Sequence, residues 1–244
     1  MPLDMGRRAG PPTGRGAYCS ASRYKYINPM TVKPSEIKEL KGEVRQLKKQ
    51  IAALEKERDA YRRVAERDFL TDVYNRHGFV HEAERFLHEL RSERHHRGKR
   101  RSSIVKNVSF IFIDMDDLKK VNDLLGHERG DHYIKSIGKV LMKHVRSIDI
   151  VGRWGGDEFV VALINTNDAE TLVVAKKLQT EIAKLKLGKG FKCSASFGII
   201  SAVDAAGHAR YNLTELIKKA DAAMYEAKIK RGKGVIVSFS EIMK

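Results

Sequence analysis

The sequence predicts an α+β chain in three parts: a basic tail, a long coiled-coil helix, and one domain built of alternating strands and helices. Three observations carry this. Residues 1–34 are rich in Gly, Pro, Arg and Ser and show no period. From Ser35 onward, apolar residues recur at alternating steps of three and four, which is the seam of a coiled coil. Beyond Arg67, short β-branched and aromatic runs alternate with segments of helical period, bounded by glycine turns.

The chain has 244 residues with 47 Lys+Arg against 31 Asp+Glu, a formal net charge of +16. A hydrophobic content of 42% is enough for one core. Charged residues at 32% exceed the globular average of about 25%, as a long solvated helix would require. No stretch approaches the ~20 apolar residues of a membrane-spanning helix. No apolar run follows the basic N-terminus, so no secretory signal is expected. Cys19 and Cys193 lie far apart in the chain, which excludes a disulfide scaffold or a cysteine zinc site and fits a reducing cytoplasm. The basic balance admits nucleic acid, anionic lipid or a phosphorylated small molecule as partner. The sequence favours the plainer account, a basic tail and solvated helix faces.

The elements follow in order. Residues 1–34 cannot bury enough apolar surface to offset their ordering entropy and are expected to be disordered. Residues 35–66 are expected to form a dimerising, signal-carrying helix, with Ile37, Leu40, Val44, Leu47, Ile51 and Leu54 on the seam and Ser35-Glu36 as its cap. The seam weakens at Arg58 and resumes at Tyr61 and Ala65. Residues 67–244 form the remaining domain. There Val108–Ile113 reads as a buried strand, and His132–Arg146 as a helix with one apolar face. A short strand near Ile150-Val151 turns at Gly155-Gly156 and returns as Phe159–Ile164. Leu172, Leu178, Ile182 and Leu185 mark a helix, Lys192–Ile200 a strand, Leu213–Lys228 a helix, and Val235–Val237 a closing strand. His95–Arg101 reads as a solvated basic loop.

Two acidic clusters carry the chemistry. Asp114-Met115-Asp116-Asp117 stands at the end of an apolar strand, and Asp157-Glu158 follows the Gly155-Gly156 turn. If the two strands are neighbours, both clusters meet at one edge. Carboxylates gathered in this way repel unless a divalent cation joins them. Mg2+ prefers one or two carboxylates together with substrate phosphate oxygens, and such a site suits phosphoryl or nucleotidyl transfer.

The stretch Arg153-Trp154-Gly155-Gly156-Asp157-Glu158-Phe159 resembles the signature of the GGDEF family, the diguanylate cyclases. Four further blocks agree with that family in order and spacing: Asp68–Arg76, Asp114–Asp123, Gly126–Asp131 and Ala220–Lys228. The resemblance covers residues 67–240. It implies a palm-like fold, similar to nucleotidyl cyclases, with a mainly antiparallel sheet flanked by helices. It implies one GTP per protomer, a homodimer in which each 3′-hydroxyl attacks the other α-phosphate, and cyclic di-GMP as product. Asp114, the Met115 carbonyl, Asp157 and Glu158 would hold two Mg2+ (or Mn2+) ions per active site. Asp157 would also help to deprotonate the 3′-hydroxyl, with Glu158 beside it. Asn122 and Asp131 would read the guanine edge, and His127 would start a helix or contact the base. Lys119 and Lys228 would hold the triphosphate as point charges. Gly155 and Gly156 would let the backbone approach the nucleotide. One residue more than the family commonly has separates Lys228 from Gly232-Lys233, so either Arg231 or Lys233 is left to reach phosphate.

Arg146-Ser147-Ile148-Asp149 forms an RxxD that precedes Gly155 by the spacing of the family's product-inhibition site. Arg suits such a role, because its planar fork grips phosphate and stacks on guanine. The competing classes are a catalytically silent cyclic di-GMP receptor using Arg146 and Asp149, and a basic nucleic-acid adaptor. The intact signature argues against the receptor, and salt-dependent DNA retention without GTP turnover would point to the adaptor. An upstream sensor protein is an expected partner of the coil.

Overall fold

The computed structural model describes residues 33–95, 105–188, 190–203, 208, 211–229 and 231–243. Residues 1–32 of the tail and residues 96–101 of the basic run lie outside these residues. The chain divides into two compact units, one through Ala53 and one from Leu54 onward. Helix α1, Pro34–Glu66, runs through the boundary and has no buried residue. Its start differs from expectation. Pro34 opens the helix, as its fixed φ allows, and Ser35 falls inside the first turn. The Lys33 N–H donates instead to Glu36 Oε2 at 3.2 Å.

In the second unit a five-stranded sheet has the order β2-β3-β1-β4-β5. The strands are β1 Val108–Met115, β2 Ile150–Arg153, β3 Glu158–Ile164, β4 Ala195–Ser201 and β5 Ile236–Ser238. The central strand β1 is antiparallel to both β3 and β4. β2 and β3 form an antiparallel hairpin, and only β4 and β5 are parallel. The sheet is thus mainly antiparallel, as expected. All eight residues of β1 are buried, because helices cover both of its faces, and this is why it reads as an unbroken apolar run.

Side chains alternate across β1. Ile111, Ile113 and Met115 join a core with helices α4 (His127–His144) and α5 (Asp168–Ala183). Phe110 and Phe112 join a second core with α2 (Arg76–His95) and α6 (Leu213–Ile229). A short α3 (Leu118–Leu125) precedes α4, and α7 (Phe239–Ile242) ends the fold. Helix α4 begins five residues before the expected His132, because the chain turns at Gly126 with a positive φ of 88° and re-enters helix at once. It stops at His144, ahead of the expected Arg146. Helix α5 ends at Ala183, so Leu185 lies beyond it and packs on the core from the loop.

Candidate active site at the signature hairpin

The antiparallel register of β1 with β3 sets Asp114 opposite Glu158. The Met115 N–H donates to the Asp157 carbonyl at 3.0 Å, so the two acidic clusters meet at one end of the sheet. By alternation Asp114 shares the face of Phe110 and Phe112, which α6 covers. Lys228 on α6 donates to Asp114 Oδ1 at 2.5 Å. Burial pushes the Asp114 carboxyl above its ordinary range, and Lys228 offsets part of that shift. Glu158 is pushed up as well, first by burial and then by the charges of Asp114 and Asp157. Among the described residues no hydrogen bond or ion pair reaches the Glu158 or Asp157 carboxylate. Asp116 turns inward and is 1% exposed. Its Oδ1 accepts from Ser196 Oγ at 2.9 Å, while its Oδ2 is buried without a partner.

This donor set fits a hard divalent cation. It offers carboxylate oxygens in excess of the nearby positive charge, with an orphaned buried oxygen behind them, and oxygen ligands are what Mg2+ takes. The Met115 side chain is fully buried, and its main-chain N–H is the group that bonds the Asp157 carbonyl.

The hairpin that carries Asp157 is fixed by Arg153. Its guanidinium bonds Asp68 at 3.2 Å, the Gly155 carbonyl at 3.2 Å and the Gly156 carbonyl at 2.8 Å. Asp68 in turn accepts from the Thr71 N–H and hydroxyl. The block Asp68–Arg76 therefore buttresses the signature, a role the sequence reading does not assign. The two signature glycines differ. A Cβ at Gly155 would lie 2.8 Å from Glu158 Oε2, whereas one at Gly156 would meet nothing within 4 Å. The first glycine makes room for a carboxylate of the same chain. The second leaves the turn bare toward solvent.

The proposed base-reading residues gather at the α3–α4 corner. Asn122 Oδ1 lies 1.8 Å from where a Cβ at Gly130 would stand, which sets it beside Asp131. His127 and Asp131 are exposed on the first turns of α4, and Lys119 is exposed on α3. The two candidates for the phosphate contact, Arg231 and Lys233, take different partners. Arg231 pairs with Glu241 at 2.9 Å, away from the carboxylates. Lys233 Nζ lies 2.7 Å from Asp117 Oδ1, next to the metal strand. Lys233 and Lys120 hold the Asp117 carboxyl below its ordinary range.

The RxxD turn is closed on itself. Asp149 accepts from the Arg146 main-chain N–H at 2.8 Å, from its guanidinium at 3.1 and 3.0 Å, and from the Ile164 N–H at 3.0 Å. The Asp149 side chain is 2% exposed and that of Arg146 57%. Arg146 also donates to the Ile164 carbonyl and to Thr166 Oγ1.

Residues 65–233, well over half of the chain, match the family described as diguanylate cyclase, GGDEF domain. The diguanylate cyclase DosC of Escherichia coli (strain K12) is 37% identical over 130 residues, covering 52% of this chain and 27% of that protein. The chain thus spans about a quarter of that relative's length. The GGDEF domain of YfiN from Pseudomonas aeruginosa matches with a TM-score of 0.59 at 29% identity, covering 72% of this chain and 98% of that structure. The coiled coil and GGDEF domain of DgcB from Caulobacter crescentus, solved with c-di-GMP, gives a TM-score of 0.65 over 82% of this chain and 98% of that structure. At 20% identity it is a likeness of fold. The family match spans both acidic clusters and the signature hairpin, and the chain belongs to the diguanylate cyclase GGDEF-domain family.

Proposed function

We propose that this chain is a diguanylate cyclase that joins two GTP into cyclic di-GMP and two pyrophosphates at a homodimer interface. The observation that carries this reading is the meeting of Asp114, Asp157 and Glu158, partly buried and short of positive charge, at the edge where β1 and β3 end. Asp114, the Met115 carbonyl, Asp157 and Glu158 would hold two Mg2+ or Mn2+ ions, which supply charge neutralisation and Lewis acidity to the triphosphate. Each 3′-hydroxyl oxygen forms a bond to the α-phosphorus of the other nucleotide. The bond from that phosphorus to the bridging oxygen breaks, and pyrophosphate leaves. Asp157 takes the hydroxyl proton, with Glu158 beside it. Lys119, Lys228 and Lys233 hold phosphate oxygens. Lys228 is already poised on Asp114, and a cation held by that carboxylate would free its ammonium for phosphate. Asn122 and Asp131 accept the N–H donors of the guanine edge, and His127 at the start of α4 borders the base. Gly155 and Gly156 keep the turn bare where the nucleotide approaches.

The second GTP comes from a second copy, and α1 supports that assembly. With Ile37, Val44 and Ile51 at a and Leu40, Leu47 and Leu54 at d, the seam has the β-branched and leucine pattern that favours two parallel strands. All six seam residues are exposed in the single chain. In parallel register, Glu36 faces Lys41, Glu43 faces Lys48 and Glu57 faces Arg62 across the g–e′ positions, with no like-charge pair. An antiparallel pairing would oppose Glu with Glu. A parallel coil raises the effective concentration of the two catalytic units, and a sensor protein acting on the coil would set their approach. Arg146 and Asp149 form the product-inhibition site in this reading. No helix among the described residues is long and apolar enough to cross a membrane, and we read the enzyme as cytoplasmic.

The test is direct. Purified protein, freed of bound nucleotide with a cyclic di-GMP phosphodiesterase, is given GTP and Mg2+, and product is followed by mass spectrometry. Cyclic di-GMP from the wild type and none from Asp157→Ala is expected. A dimer that binds cyclic di-GMP tightly yet forms none would overturn the reading in favour of a receptor.

A further inference from the structure

We infer that a cavity of about 290 Å3 between α2 and α6, beside the signature hairpin, is a second binding site for a guanine base. The inference extends the reading of this chain as a handler of guanine nucleotides. The cavity lies on the α2–α6 face of the sheet, with Glu158 on its wall. It is distinct from the α3–α4 corner where Asn122 and Asp131 stand.

Its chemistry is that of a base pocket. The floor is apolar, with Phe112, Ile217 and the Trp154 ring. The Arg76 guanidinium lies over that ring at 4.4 Å, and its outer face is a platform of the kind on which bases stack. The rim is charged in both senses: Arg76 and Lys218 against Glu84 and Asp221. Among the described residues none of these four makes a hydrogen bond or ion pair, although opposite charges line one small space. Burial pushes the Asp221 carboxyl up. Guanine answers both signs at once. Its O6 and N7 accept from Arg or Lys, and its N1–H and N2–H donate to a carboxylate. Adenine presents a bare N1 where guanine presents a donor, so a carboxylate would repel it. The volume is at the small end of small-molecule sites, about 300–1,000 Å3. It admits a base and leaves sugar and phosphates outside.

Trp154 is the single tryptophan of the chain, so its fluorescence reports on this cavity. The full chain is titrated with GMP in EDTA, where the metal-dependent triphosphate mode is silent. GMP is expected to change the emission saturably, and AMP at least ten-fold more weakly. Glu84→Gln with Lys218→Ala should weaken the GMP response at least ten-fold, while Asp131→Ala leaves it in place. Glu84 and Lys218 are exposed, so these changes spare the core, and circular dichroism checks the fold. The same titration with GTP and with cyclic di-GMP tells which nucleotide is the tighter source of the base. A response lost in Asp131→Ala but kept in the double variant would assign the base to the α3–α4 corner and overturn the inference. No response to any guanine nucleotide by correctly folded protein would overturn it equally. Formation of cyclic di-GMP from GTP and Mg2+ is scored separately, so failure of this site and failure of the cyclase reading are told apart.

Discussion

The hairpin edge and the RxxD turn both rest on carboxylates, yet they manage their charge in opposite ways. Asp149 is almost fully buried and every lone-pair direction is used: two main-chain N–H groups and the Arg146 fork all donate to it. Glu158 and Asp157, by contrast, have no donor among the described residues, and Glu158 is pushed up by its own neighbours. A satisfied buried carboxylate holds the fold together. An unsatisfied group of them stores repulsion that only a cation, a proton or a lysine can relieve. The difference separates a charge that stabilises from a charge that is kept ready.

That contrast is broken most severely at Asp157. Asp157→Ala should lower cyclic di-GMP formation by about 10³-fold or more, since a lost metal contact removes several kcal/mol of transition-state stabilisation. Its urea midpoint should stay near wild type or rise slightly, because a repelling charge has gone. A large loss of stability with unchanged m-value would show that the hairpin acid is structural, like Asp149.

Next in size is the effect of the ligand itself. With Mg2+ and 3′-deoxy-GTP, which cannot complete the reaction, ligand at about 100 times its Kd should add about 2.7 kcal/mol to the unfolding free energy. Asp157→Ala should lose this gain and Arg146→Ala should keep it. Thermal denaturation at several ligand concentrations measures both. A gain that needs no divalent cation would argue that Lys228 and Lys233 alone carry the triphosphate.

Much of this contrast was open to sequence reading, and its limits are physical. The strands of the sheet centre are legible because helices cover both faces, so β1 and β3 are unbroken apolar runs. The acidic clusters are legible because acids at the end of such runs cannot be core. Helix α2 carries Phe79, Ala83, Phe86, Leu87 and Leu90 at helical spacing, yet a dense mixture of His, Arg and Glu hides that stripe and the sequence reading assigns no element there. Arg231 pairs with Glu241 and Lys233 with Asp117, a difference of loop direction that spacing does not encode. The Asp68–Arg153 tie joins residues 85 positions apart, and no local pattern announces it. Ser196 offers a fainter signal: a polar residue inside an apolar strand, explained once Asp116 is found against it.

At the RxxD turn the predicted effects are smaller and point to stability first. Asp149→Ala leaves the buried Ile164 N–H and the Arg146 N–H without acceptors, and an orphaned buried donor costs about 1–3 kcal/mol. We expect about 2 kcal/mol, read from the shift in urea midpoint at constant m-value. The cost should be the same with and without Mg2+, unlike any change at the hairpin.

The smallest stability effect belongs to Arg146, and it is the most informative. Its side chain is 57% exposed, so water replaces most of what Arg146→Ala removes. The main-chain N–H that bonds Asp149 is untouched. The expected loss is about 1 kcal/mol or less. Its guanidinium, held charged by Asp149, nevertheless presents an outer edge to solvent, where a phosphodiester could be gripped. If this turn inhibits the enzyme through product, Arg146→Ala should raise the concentration of cyclic di-GMP needed for half-inhibition at least about ten-fold, the worth of one charge-assisted bond. The basal rate should stay within about two-fold, since Arg146 lies outside the catalytic edge. Unchanged inhibition with the same small loss of stability would make the whole RxxD a structural clasp, with the hairpin edge then the only one of the two sites that handles nucleotide.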